Sequence, residues 1–574
     1  MSKAGGKNGS GEHRLTRPEA RRASLGKRVG ERLARIAYAT PLAERTLKGR
    51  PPLKILATPV DPILGNVERG KEIAAGRLSH KGHGEAVRTL NFATLGAPAA
   101  WLEWLHGFSW LRDLAAATDR KKGAMVAEVV AEAWLQQYRD FDDFAWRPDL
   151  AGRRVLNWTL YAPYVLSRGE PIYRSLVLNH LARAARHLDR AHDKAAEGLP
   201  RIEAVAGLLA AGLLLPEGAA RTVRAEAALA RALAGFVLDG GGVASRRPSD
   251  ALRLAELMLT LRAYYLVRRI DVAPVVADVI ETLVQGLKGL TLGDGALAAM
   301  HGGNMGNAER LQHVLTLSGS AARATRNGLA SGFQHLAAGK TVLVADTGPP
   351  PVAGLADGAH AGTLAFEMSD GTTRMIVNCG GGDGAAAELP AKLAELLRTT
   401  AAHSTLTIAD TNSTRLVGGG GLGAGVEEVV VTRHESDDGG WLEATHDGYA
   451  KKFGVVHRRR LFLAADGRDL RGEDRLEPVG SRALGRRKPA HFDIRFHLGP
   501  GVEATPTADA QGALVKLAGG QVWQVKARGG RLSVDDSLHI DASGVPRGVR
   551  QIVISGETDA GSANVKWSFK RATR

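Results

Sequence analysis

One change of hydrophobic period, near Ala321, most narrows what this chain can fold into. Before it, apolar residues recur at helical spacing; after it, they alternate between turn residues. Trp101, Trp104, Leu105, Phe108, Leu111 and Leu114 open the helical half. Ala/Leu-rich segments follow at 121–139, 151–168, 170–190, 201–215, 218–237, 249–270 and 272–290, joined by short turns. Serial helical hairpins of this kind stack as a bundle, a solenoid or a toroid. No fixed period runs through them, which argues against a simple repeat array. Beyond Ala321, short alternating runs such as KTVLVADTG, GTLAFEMS, RMIVNCG and NVKWSFKR are separated by Gly/Asp turns. They predict a large antiparallel β-sandwich. Helices first and strands second make an α+β chain of two domains.

The expected division is a disordered basic tail over 1–25, a linker and helix over 26–100, a helical domain over 101–325 and a sandwich over 326–574. Within the second segment, Leu25 to Leu47 reads as an amphipathic basic helix, docked on the domain or lying on a membrane surface. Length alone asks for more than one domain. A net charge of +16 suits an acidic partner: a uronic-acid polymer, nucleic acid or an anionic membrane. The sign of the charge does not choose among them, and an Arg-rich composition is the plain alternative. No nucleic-acid fold or basic–aromatic interleaving is legible, so nucleic acid is not expected. Cys379 is the single cysteine, which excludes an intramolecular disulfide. The N-terminus has no apolar run of signal-peptide length, and no segment reads as membrane-spanning. On that basis a cytoplasmic location is expected. A homo-oligomer is left open.

The most informative stretch runs from Ala356 to Ile408. Asp370-Gly371 sits between two alternating segments and signals a hairpin. His360 precedes its first strand, Asn378 ends its second, and His403 opens a third. Three such side chains at strand ends are expected to converge. They would hold one structural divalent metal, zinc or similar, or form a hydrogen-bonded brace without metal.

The same residues carry a resemblance. AHAG at 359–362, VNCG at 377–380 and AAHSTL at 401–406 resemble the heparinase II/III-like polysaccharide lyases, of alphaproteobacterial type. That family joins an incomplete (α/α) toroid of helical hairpins to an antiparallel β-sandwich, and the resemblance, not the periodicity, selects the toroid. It carries His-x-His-Ala-Asp, a strand ending Ile-Asp-Pro-Gly, and His-Asn-Thr. Here His360 and His403 match, Gly358 replaces the first histidine, and Asn378 replaces the metal-binding aspartate. Leu199 and Pro200 stand for the family's Asn-His pair, with Glu203 retained. Asp250 stands at about the place of its catalytic tyrosine. These proteins are often exported, so the resemblance also admits the periplasm or cell envelope.

The resemblance implies β-elimination on an acidic, uronic-acid polysaccharide. That reaction needs a group to neutralise the C5 carboxylate, a base for the C5 proton and an acid for the leaving oxygen. His301, Tyr449, Arg246 and Glu203 are the catalytic candidates, with Arg246 as carboxylate clamp. Arg247, Asn304, His446 and Arg459 are the substrate-binding candidates. Against each stands the plain reading of a turn, cap or packed residue. The alternative function is a non-catalytic glycan-binding or envelope-associated protein on the same scaffold. The basic surplus is expected to line a cleft between the two domains.

Overall fold

The computed structural model describes residues 11–18, 54–480 apart from 353, 356, 384 and 386, and 488–572 apart from 560. The expected helix from Leu25 to Leu47 lies outside the described residues. Part of the expected disordered tail does not stay free. His13–Thr16 forms a strand that pairs antiparallel with Glu428–Ser436, His13 opposite Val431. An open sheet edge offers unpaired main-chain groups, and Leu15 packs against the sandwich core. The expected linker is also structured, with a helix Val67–Ala74 and a small hairpin Arg77–His80/His83–Ala86.

The helical half follows the predicted segments closely. Its main helices are Arg120–Gln137, Pro148–Leu160, Pro171–Ala191, Leu199–Leu214, Ala219–Ala234, Pro248–Val267 and Pro274–Gly289. Four of these begin on Pro, whose missing N–H and fixed φ suit a first turn. The Trp101–Leu114 run folds as two helices, Ala99–His106 and Trp110–Ala117, broken at Phe108 where φ is 55°. A further helix, Ala308–Ser318, closes this half. The core holds Trp101, Trp110, Trp134, Trp146 and Trp158, all buried. Among them lies Arg154, itself buried, with its guanidinium 4.1 Å from the Trp134 ring centre. It donates to His180 Nε2 and to the carbonyls of His106 and Ala145.

Two antiparallel sheets follow. One runs His13–Thr16, Glu428–Ser436, Gly439–His446, Val455–Ala464, Asp469–Pro478, Ala563–Arg571, Val522–Arg528, Gly512–Lys516, Glu503–Pro506. The other runs Arg531–Ile540, Pro546–Glu557, His491–Leu498, Thr373–Val377, Phe366–Asp370, Thr341–Asp346, Phe333–Ala338, Asn327–Gly328. The hairpin at Asp370-Gly371 forms. The strand after His403, Leu406–Ile408, pairs with His491–Leu498 rather than with the hairpin. Phe366, Phe496, Trp567 and Phe569 fill the space between the sheets.

Helices Pro148–Leu160 and Leu199–Leu214 cross at Gly152 and Gly207. A Cβ on Gly207 would stand 2.3 Å from the Gly152 Cα. Gly207→Ala is therefore expected to force the pair apart, at a cost of about 1–3 kcal/mol. A fall in Tm of several degrees, with the far-ultraviolet spectrum unchanged, is the outcome to look for.

Candidate functional site

The residues singled out by sequence gather mainly along the seam between the helical half and the sandwich. The turn Asp239–Gly242 leads into Arg246, which holds a left-handed φ of 54°. Non-glycine residues seldom adopt that conformation. Arg246 is buried and reaches across the seam. Nε donates to Ser331 O (2.8 Å), Nη1 to Gly348 O and Pro349 O (3.1 and 2.7 Å), and Nη2 to Gly332 O and Asp346 Oδ1 (3.2 and 2.5 Å). A guanidinium has five N–H groups, so none is left for a substrate carboxylate. The expected clamp is a buried tie between domains.

His301, also left-handed with φ 50°, places Nε2 3.0 Å from the other oxygen of Asp346. Burial holds its imidazole below the ordinary histidine value. Burial alone would raise the Asp346 carboxyl, but Arg246 and His301 outweigh it and hold it at about 2. Arg247 donates to His301 O and to Asp357 O. Asn304 donates to Asp541 O and accepts from Gly306 N–H. Both candidate substrate binders thus brace loops at the seam. The two backbones come very close here: a Cβ on Gly381 would lie 2.1 Å from Gly302 O.

His360 and His403 do meet. His403 Nδ1 lies 2.7 Å from Thr399 O, so that nitrogen carries the proton. Its Nε2 then accepts from His360 Nδ1–H at 3.1 Å. Burial holds both rings neutral, His403 at about 4 and His360 far below its ordinary value. Asn378 lies beside them, not among them. Its Oδ1 accepts from Ser404 N–H (3.0 Å), and Nδ2 faces Ala299 O and Met300 Sδ, each at 3.4 Å. The facing imidazole nitrogens are spent on each other and the amide oxygen on the backbone. As arranged, Asn378 shares no hydrogen bond with the two imidazoles. Nor do the described residues contain a group of three His, Cys, Asp or Glu able to hold a metal.

Tyr449, expected at the cleft, is buried and donates to Leu406 O at 2.8 Å. Burial lifts its phenol well above the ordinary range. His446 and Arg459 are likewise inside the sandwich. Gly448 N–H donates to His446 Nδ1 (3.0 Å), leaving the proton on Nε2, which faces His457 Nδ1 at 3.3 Å. His457 Nε2–H then donates to Asp474 at 2.7 Å. Arg459 and the Trp567 indole bind the same carboxylate. This is a closed polar chain, each donor matched to an acceptor.

Glu203 alone opens on a cavity, of about 200 Å³ in the helical half. It pairs with Arg153 at 2.9 Å, and Arg253 lies 3.6 Å from its other oxygen. Arg112, Arg253, Arg310 and Glu256 also line this space, and no histidine or tyrosine does.

Several seam residues escaped the sequence reading. Glu367 accepts from the N–H groups of Ala299 and Asn378 and from Arg374, which also grips Asp294. Burial outweighs these donors and raises the Glu367 carboxyl. The available signal was a lone acidic residue inside an apolar strand, in AFEMS and again at Asp346 in VLVAD. A buried charge in such a place needs a partner.

A toroid of helical hairpins on a two-sheet sandwich, with Arg246, His301 and His360 along its seam, defines the class: the chain belongs to the heparinase II/III-like family. The model for the C-terminal domain of heparinase II/III-like proteins matches residues 321–568. FtsZ-localized protein C of Caulobacter vibrioides is 30% identical over 535 residues, spanning 91% of each chain. Among solved structures, a heparinase III superposes with a TM-score of 0.67 at 12% identity, over 96% of this chain and 92% of that one. A mutant of the heparan sulfate lyase HepC of Pedobacter heparinus gives 0.62 at 15%, over 97% and 92%. Those two likenesses show the fold.

Asn378→Asp would set a carboxylate against Ala299 O and Met300 Sδ. We expect a loss of about 1–3 kcal/mol in denaturant titrations; full recovery on adding zinc would show that a ligand set can assemble after all. A second expectation concerns pH. His446 is held neutral far below the 6.5 of a free imidazole, by burial first and by His457 second. The unfolded chain therefore takes up this proton first, so stability present above about pH 6.5 is lost as pH falls below it. His446→Gln should make that dependence shallower between pH 7 and pH 5, measured by urea unfolding.

Proposed function

We propose that this chain acts by binding, as a non-catalytic member of the lyase family that associates with FtsZ. One observation carries the reading. The groups expected to clamp, abstract and donate protons (Arg246, His301, Tyr449) are buried, and Arg246 and Tyr449 are already bonded to the protein's own backbone. β-Elimination needs an acid and a base that reach substrate, and here His301 faces Asp346 across the seam while Tyr449 is bonded inside the sandwich. The substitutions at Leu199, Pro200, Gly358 and Asp250 point the same way. Association with FtsZ is taken from the name of the relative that matches this chain nearly end to end. Among the described residues no helix is long and apolar enough to cross a membrane, so recruitment by a partner is a sufficient means of placement.

A specific feature favours the alternative of a lyase on an acidic glycan. Arg253, with 43% of its side chain exposed, lines the same cavity as Glu203 and lies 3.6 Å from it, a pair that could bind a uronate and take its proton. Two measurements decide. Purified protein should sediment with FtsZ polymers, and a fluorescent fusion should follow FtsZ in cells. Incubated with heparin, heparan sulfate and chondroitin sulfate, it should produce no absorbance of an unsaturated uronate. Turnover lost on Glu203→Gln would establish the lyase instead.

A further inference from the structure

The outer face of the sheet that carries Gly439–His446 holds a groove of about 740 Å³, remote from the seam. Its floor comes from the strands Gly439–His446, Val455–Ala464, Asp469–Pro478, Ala563–Arg571 and Val522–Arg528, which neighbour one another in that order. Side chains alternate along each strand, so the inward set builds the core and the outward set lines this groove.

Its two ends differ. At one, the Trp441 indole, 45% exposed, leans on the Phe462 ring at 4.5 Å between centres, with Arg471 over the other side of that ring. At the other stand Lys526, Arg528 and Lys570, all exposed. Seven cations line the groove against two carboxylates, Asp469 and Glu473. Those two are taken: Asp469 by Arg471 at 2.7 Å and Glu473 by Arg475 at 2.9 Å. No carboxylate of a described residue reaches ion-pair distance of Lys526, Arg528 or Lys570. An ordinary solvated face mixes both signs. Three unpaired cations at one end and a half-exposed indole at the other are unfavourable in isolation and suit a ligand that supplies negative charge at one end and an apolar group at the other.

The register sets its length. Trp441, Phe462, Arg471, Ser568 and Lys526 lie in one row across the strands. Four strand spacings separate Trp441 from Lys526, roughly 19 Å, which about six extended residues span. Lys526 and Arg528, two apart on one strand, stand about 6.7 Å apart, the repeat of same-side residues in an extended chain. Asp469 and Glu473 lie between the ends, where a uniform polyanion would have to pass over them and a peptide need not present charge.

We propose that this groove takes an extended acidic peptide segment of a partner protein. A bulky apolar side chain rests on Trp441, and carboxylates reach Lys526, Arg528 and Lys570. The proposal rests on the reading of the chain as a binding protein, but its test uses no FtsZ, so either can fail alone. The probe is a fluorescein-labelled peptide of about ten residues, with phenylalanine near one end and glutamates near the other, titrated with full-length protein at low salt and followed by anisotropy. Saturable binding is expected, weakened about tenfold or more in the triple variant Lys526→Glu/Arg528→Glu/Lys570→Glu. Trp441→Ala should weaken this probe several-fold and leave an all-glutamate peptide unaffected. Reversing three exposed cations elsewhere, Lys121→Glu/Arg139→Glu/Arg231→Glu, should change little, which separates the groove from net charge. Equal binding by the groove variant and wild type overturns the proposal. So does tighter, groove-dependent binding of a heparin fragment or of oligothymidylate, which would reassign the site to a polyanion.

Discussion

The buried guanidinium of Arg246 is the contact on which the relation of the two halves depends. It leaves the helical half on a strained, left-handed residue and spends five N–H groups on four sandwich carbonyls and Asp346. A buried charge this fully bonded is costly to disturb. Removing one partner of such a pair typically loses about 3–5 kcal/mol. It also explains why an unfavourable backbone conformation persists there, since the surrounding bonds over-determine it. His301, equally left-handed, closes on the same aspartate.

Around that tie the seam repeats one physical theme. Glu367 and Arg374 on the sandwich reach Asp294 and the Ala299 and Leu297 backbone on the helical side. Ser249 bonds Asp383, and Asn304 bonds the Asp541 carbonyl. Polar groups that would line an open catalytic cleft are here matched to one another and shielded. In low dielectric a satisfied network is rigid, and a half-satisfied one is expensive. The network thus joins the helical half and the sandwich along the seam.

Much was legible in the sequence where local rules suffice. Helix positions followed from the spacing of apolar residues and from Pro at first turns. The hairpin followed from Asp370-Gly371. The meeting of His360 and His403 was legible because each precedes a short strand of one sheet. What failed were statements about exposure. Arg246, Tyr449, His446 and Arg459 read as available chemistry, since a polar residue next to a glycine turn looks the same whether solvent or another domain covers it. Glu367 and Asp474, which organise the buried networks, stood inside apolar strands and were passed over.

By itself, then, the sequence determined the order of helices and strands, the sandwich, and the family whose motifs it bears, because period and turn chemistry are local properties. Only the tertiary structure decided that Asn378 turns its oxygen to Ser404 instead of toward the two imidazoles, and that Arg246 serves a joint. It alone assembled Trp441 and Lys526 into one row, from strands far apart in sequence. Those outcomes depend on which surfaces cover which, and a pairwise contact across hundreds of residues leaves no trace in the spacing of either partner.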